Sequence, residues 1–115
     1  MQVQANRNWN DTGIDVRPGE PLELVATGLV KISPTREVAP AGLINRPAPP
    51  SLPLPGANIG ALVARICYQD GQCSPAQLVG ARNSLSSIKV GRLMLGVNDS
   101  DVADNSGAFT VTVRR

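Results

Sequence analysis

The sequence predicts an all-β domain, either a sandwich or a barrel. Two observations carry this expectation. Short runs rich in Val, Ile, Leu and Thr are separated by turn formers, and no stretch keeps helical periodicity over more than about ten residues. The 11 glycines and 10 prolines are spread along the whole chain, so the elements between them must be short. The 115 residues allow one domain with one core. An apolar fraction of 42% with 17% charged residues excludes a disordered, solvating chain.

The elements follow in order. Val3 to Ala5 is a first strand candidate, and Thr12 to Val16 a second, in which Ile14 and Val16 alternate with polar neighbours. Arg17-Pro18-Gly19-Glu20 reads as a turn with Pro18 and Gly19 at its centre. Leu22 to Ile32 is the longest candidate; Leu22, Leu24 and Ala26 share one face, and Gly28 marks a bulge or a close approach. Residues 33 to 60 hold seven of the ten prolines, and no strand or helix is expected to run through that spacing. Loops this long are usually functional or disordered. Because prolines stiffen this one, an ordered surface loop beside a site is expected. Strands resume at Ala61 to Ile66, with shorter elements at Leu78-Val79 and Ile88. Leu93 to Val97 reads as a buried strand, residues 98 to 107 as a polar loop, and Ala108 to Val113 as a terminal strand with Phe109, Val111 and Val113 alternating. Trp9 is expected to plug the interior and Met94 to join the core. Arg65 and Arg92 should face outward, Asp11 should cap a turn, and Asn58 should satisfy loop backbone groups.

Composition removes several function classes. Histidine is absent, which excludes Ser-His-Asp and Cys-His catalysis and His-rich zinc sites. No nucleophile sits beside a plausible base, so no enzyme is expected. The net charge of +2, with nine scattered arginines among eleven cations, does not suit a nucleic-acid partner. Aromatics at 3% offer no stacking platform for single strands. No apolar run approaches the ~18 residues of a membrane span.

Cys67-Tyr68-Gln69-Asp70-Gly71-Gln72-Cys73 carries a hairpin signal. With Gln69-Asp70 in a type I turn and Gly71 left-handed, Tyr68 pairs with Gln72 and Cys67 faces Cys73. Facing positions bring Cβ atoms within disulfide range. A Cys67–Cys73 disulfide is therefore expected, and with it an extracellular or periplasmic location. Met1 is followed at once by polar residues rather than a signal peptide, so the chain is expected to be one domain, 1–115, excised from a larger exported protein.

The segment from Asn98 to Gly107 gathers Asp99, Asp101 and Asp104, with Asn98 and Asn105 at its flanks. Clustered oxygen donors suit a hard cation such as Ca²⁺. The spacing is not that of an EF-hand. The same residue types also form solvated hairpin loops, and a glycosidase carboxylate pair is a third, weaker reading.

Several segments together carry a resemblance. Trp9-Asn10-Asp11-Thr12-Gly13-Ile14, Pro18-Gly19-Glu20, Ala26-Thr27-Gly28, Gly60-Ala61-Leu62-Val63, Gly96-Val97-Asn98-Asp99 and Asp104-Asn105-Ser106-Gly107-Ala108-Phe109 occur in this order. Over nearly its whole length the chain resembles the PA-IL-like family of galactophilic bacterial lectins. The resemblance implies a small jelly-roll β-sandwich of the galactose-binding type and a Ca²⁺ that bridges protein and sugar hydroxyls. It implies metal ligands at Asp99, Asp104 and Asn105 and at the carbonyls of Ile32 and Asp101. It places Arg46 and Pro47 on the sugar side, where the family has a His-Pro pair, together with Asp99, Ser100 and Asp104. The partner implied is a carbohydrate, galactose-like or another glycan, bound by oligomers or tandem modules for avidity. The alternative is a structural or protein-interaction module on the same sandwich, with sugar binding lost, as the exchange of His for Arg46 and of a nearby Gln for Pro49 would allow.

Overall fold

The computed structural model describes residues 1–115. Ten strands form, without a helix: β1 Gln2–Gln4, β2 Asn10–Val16, β3 Leu22–Thr27, β4 Val30–Ser33, β5 Arg36–Val38, β6 Leu62–Tyr68, β7 Gln77–Leu78, β8 Arg82–Leu85, β9 Gly91–Val97 and β10 Ser106–Arg114. They make two antiparallel sheets, a β-sandwich. One sheet is built on β10, which carries β3 and β4 along one edge and β1 along the other; β8 lies outside β3 and β5 outside β4. The other runs β2-β9-β6-β7.

Alternation puts every second side chain between the sheets. Leu22, Leu24 and Ala26 of β3, Leu62, Ala64 and Ile66 of β6, Leu93, Leu95 and Val97 of β9, and Phe109 and Val111 of β10 form most of an 18-residue core. Each large side chain fully removed from water stabilises the fold by about 2 kcal/mol. No aromatic other than Phe109 is fully buried, so interdigitated aliphatic residues fill the interior.

The expected strand from Leu22 to Ile32 is in fact two. β3 and β4 keep one register against β10 but are interrupted at Gly28-Leu29. Gly28 sits at φ +102°, and a Cβ there would lie 3.3 Å from the Ala108 carbonyl. The close approach expected at this glycine is therefore real, and it breaks the ladder. The segment 33–60 also departs from expectation, because β5 forms within it. Pro34 and Thr35 occupy the turn between the paired residues Ser33 and Arg36, and the strand ends before Pro40. Ile88 is not in a strand and is 85% exposed. Trp9 and Met94 are half-buried and lie outside the core. Met94 pairs with Asp11 and Arg65, residues of the outer face.

The cysteine hairpin folds as the spacing predicts. Cys67 and Cys73 are disulfide-bonded. The Tyr68 N–H donates to the Gln72 carbonyl at 2.7 Å, the Gly71 N–H donates to the Tyr68 carbonyl at 3.1 Å, and Gly71 takes φ +89°.

On the same outer face Arg92 is clasped by two carboxylates of β2. Its Nε donates to Asp15 at 2.9 Å and its Nη1 to Asp11 at 3.1 Å. The Asp11 carboxylate also accepts the Gly13 N–H at 2.9 Å, the turn cap expected of it. That backbone hydrogen bond, then Arg92, hold the Asp11 carboxyl below its ordinary range, and the two carboxylates raise Arg92 in turn.

Two measurements check these assignments. A Cys73→Ser variant should lose roughly 2 kcal/mol in denaturant melts, the loop entropy of a seven-residue ring, and reductant should lower the wild type to the same level. Because the folded Asp11 pKa is depressed, its contribution is present above the unfolded value of about 3.9 and disappears as pH falls through the lower folded value. An Asp11→Asn variant should therefore show a smaller fall in melting temperature on acidification below about pH 4.

Candidate functional site

β9 delivers its last residue, Val97, into the core and then releases a polar chain. Asn98 follows and is 0% exposed. Its Nδ2 donates to the carbonyls of Leu54 at 3.0 Å and Asn58 at 3.2 Å, and its Oδ1 accepts the Leu54 N–H at 3.0 Å. Its backbone completes the attachment. The Asn98 N–H donates to Ala61 at 2.8 Å, and its carbonyl accepts from Gly60 at 2.9 Å. One side chain thus ties the proline-rich segment to the end of the β2-β9-β6-β7 sheet. Within that segment Pro47 bridges Asn58, and the Ile59 N–H donates to Arg46 at 2.9 Å. The Asn58 side chain donates to the Ala41 carbonyl at 3.0 Å, the backbone role expected of it. The prolines prevent a regular ladder, so these few bonds order the loop. Arg46 and Pro47 project from it, both exposed.

The acidic segment starts one residue later. The Asp99 Oδ1 accepts the Asp101 N–H at 3.3 Å and the Asp101 Oδ1 accepts the Ala103 N–H at 3.2 Å, so two carboxylates shape consecutive turns. The segment closes on Asn105, 6% exposed. Asn105 Nδ2 donates to Asp99 Oδ2 at 3.1 Å and to the Ala5 carbonyl at 3.0 Å. Its Oδ1 is buried and has no partner. The register of β10 on β4 pairs Ser106 with Lys31, so the next pair along sets Ile32 across from Asn105. Asp99, Asn105 and Ile32 therefore lie at one end of the sandwich. Asp104 lies between them in the chain and is exposed, as are Asp101 and Ser100.

Nowhere do three Asp, Glu or Cys side chains converge on one point, so Asp99, Asp101 and Asp104 do not form a carboxylate trio. A cation here would depend on mixed donors: carboxylate, amide oxygen and main-chain carbonyl. The orphaned Asn105 oxygen fits such a donor set, since a buried oxygen without a partner costs about 1–3 kcal/mol and an oxygen-seeking cation removes that cost.

Asp99 and Ser100 also border an open cleft of about 520 Å³, whose walls include Trp9, Arg65, Leu52 and Pro53. Arg46, Pro47 and Asp104 do not line it. The Arg65 guanidinium lies 4.4 Å from the centroid of the Trp9 ring. Trp9 therefore supports Arg65 on the outer face and does not plug the interior. Sequence reasoning missed the roles of Asn98 and of the Trp9–Arg65 pair. The signal for Asn98 is a lone amide placed directly after a buried strand. The Trp9–Arg65 contact spans two strands and leaves no local pattern.

A profile of the family described as PA-IL-like protein matches residues 2–115. Among solved structures the chain is similar to the EclA N-terminal domain, a PllA-like lectin. The two superpose with a TM-score of 0.72 at 26% identity, over 100% of this chain and 93% of that one. No curated protein sequence matches this chain.

Asn98→Ala removes three side-chain hydrogen bonds and leaves the Leu54 N–H without an acceptor. It should cost about 3 kcal/mol in denaturant melts. Amide exchange should accelerate across residues 43 to 60 while the core of β3 and β10 stays protected.

Proposed function

The chain belongs to the PA-IL-like family, and from that premise we propose that it is a calcium-dependent carbohydrate-binding module. The observation that carries the proposal is the buried, unpartnered Oδ1 of Asn105, whose Nδ2 donates to Asp99. The residues that would hold Ca²⁺ are Asp99, Asp104 and Asn105 through their side chains and Ile32 and Asp101 through their carbonyls. When bound, the ion supplies a hard acceptor site for two sugar hydroxyls in place of water.

The chain's own groups do the remaining work. Asp99 and Asp104 accept hydrogen bonds from sugar hydroxyls, and the Ser100 hydroxyl donates or accepts at the rim. Arg46 donates from the proline-rich loop, and Pro47 beside it offers an apolar wall. The guanidinium has more donors than a neutral imidazole and is always charged, so a galactose-like ligand is met by a different edge here than a His-Pro pair would present. Asn98 holds the two loops in fixed relation, so little ordering cost falls on binding. The disulfide of the Cys67–Cys73 hairpin supports work in an oxidising compartment, extracellular or periplasmic. One shallow site binds weakly, and presentation as an oligomer or as one module of a longer exported protein multiplies its avidity.

Calcium at a hundred times its dissociation constant should add about 2.7 kcal/mol of stability, a rise of several degrees in melting temperature. A chelator should reverse it. Asp99→Asn and Asn105→Ala should each abolish the rise and, with it, retention on galactose-bearing resin. A wild-type melting temperature indifferent to millimolar calcium would leave a structural module in place of a lectin.

A further inference from the structure

Two buried side-chain atoms have no hydrogen-bond partner, Asn105 Oδ1 and Arg65 Nε. Both belong to residues related to Asp99: Asn105 hydrogen-bonds to it, and Arg65 lines the same cleft. The first is an oxygen suited to a cation. The second is a donor, and it calls for an anion.

Arg65 stands between the core residues Ala64 and Ile66 of β6, so it points to the outer face. Trp9 lies on that face over Gly96, where a Cβ would come within 3.2 Å of the indole ring. The missing side chain lets the ring settle on β9, and Arg65 settles against the ring at 4.4 Å. The guanidinium donates no hydrogen bond to any protein acceptor. Arg82, Arg92 and Arg115 each meet a carboxylate, and the other arginines without one are exposed, whereas Arg65 is half-buried. Asp99, the acid that shares the cleft, is not within ion-pair distance. Burial lowers the Arg65 pKa from its ordinary value, yet a guanidinium stays charged at neutral pH. A half-buried, stacked cation without a counter-charge is held in place by packing and ready to receive an oxyanion.

The geometry points to this cleft as a subsite for an acidic sugar, with Arg65 receiving a carboxylate or sulfate substituent of a glycan whose hydroxyls engage the neighbouring Asp99 end. It rests on the carbohydrate-binding reading and names its ligand class. The cleft, about 520 Å³ and open to solvent, has room for one sugar residue beyond the one at Asp99. Leu52 and Pro53 supply an apolar side to it, and Ser74 a polar one.

Trp9 is the chain's only tryptophan, so its fluorescence reports on this cleft alone. Methyl galacturonoside, methyl galactoside 6-sulfate and neutral methyl galactoside are titrated in calcium buffer and again in EDTA. In calcium, at least one acidic sugar should bind roughly fivefold or more tightly than the neutral one, with a change in Trp9 emission that the neutral sugar does not produce. The two acidic arms tell carboxylate from sulfate. Arg65→Met, which keeps the packing on Trp9, should equalise the affinities and leave the calcium-induced melting shift intact. Arg65→Lys, which keeps the charge without the fork, should retain part of the preference, and it serves as the comparison if Arg65→Met melts early. Equal affinities in the wild type, no response to either acidic sugar, or a preference that survives Arg65→Met would each overturn the assignment. An anion response that persists in EDTA would keep the subsite and refute the calcium reading. Calcium-dependent binding of the neutral sugar without an acidic preference would do the reverse.

Discussion

The buried amide of Asn98 is the constraint on which the end of this molecule that carries the candidate site depends. Residues 39 to 61 cannot be held by a β-ladder, because prolines remove donors and fix φ at five positions between Pro47 and Pro55. Their backbone groups still require partners. Asn98 supplies three hydrogen bonds from a position with no solvent exposure. Water cannot compete there, so each bond is worth more and each omission costs more. The next residue is Asp99. The same turn that anchors the proline-rich loop therefore also aims the first carboxylate of the acidic segment.

Three buried asparagines perform related work with different outcomes. Asn10 joins β1 to the facing sheet: it accepts the Gln4 N–H at 2.9 Å and donates to the carbonyls of Gln4 and Leu95. Asn98 is likewise fully satisfied. Asn105 is not, because its amide nitrogen is spent on Ala5 and Asp99 and its oxygen has none. Native interiors leave few such atoms. Here the two that remain, on Asn105 and Arg65, are of opposite character; Asn105 donates to Asp99, and Arg65 lines the same cleft as Asp99. Three arginines elsewhere are ion-paired: Arg92 between Asp11 and Asp15, Arg82 on Glu23, Arg115 on Glu20.

Periodicity and turn chemistry determined much of this molecule without help from the tertiary structure. Alternation identified the inward faces of β3 and β10, because a sheet buried on one side enforces a period of two. The cysteine hairpin was legible to the residue, because a turn with a left-handed glycine admits only one facing pair. The order of short motifs pointed to the family, and the acidic segment was recognisable from its oxygen donors. Long-range packing decided the remainder. The break at Gly28 depends on the Ala108 carbonyl across the sheet, eighty residues away in the chain. β5 exists because β4 offers it an edge, which no three-residue pattern announces. Asn98 and Asn58 meet across forty residues. Trp9 reads as a core residue by hydrophobicity, but Gly96 and Arg65 give it a seat on the outer face. Such contacts join residues distant in sequence, and their partners are set by which strands become neighbours; only the folded chain specifies that.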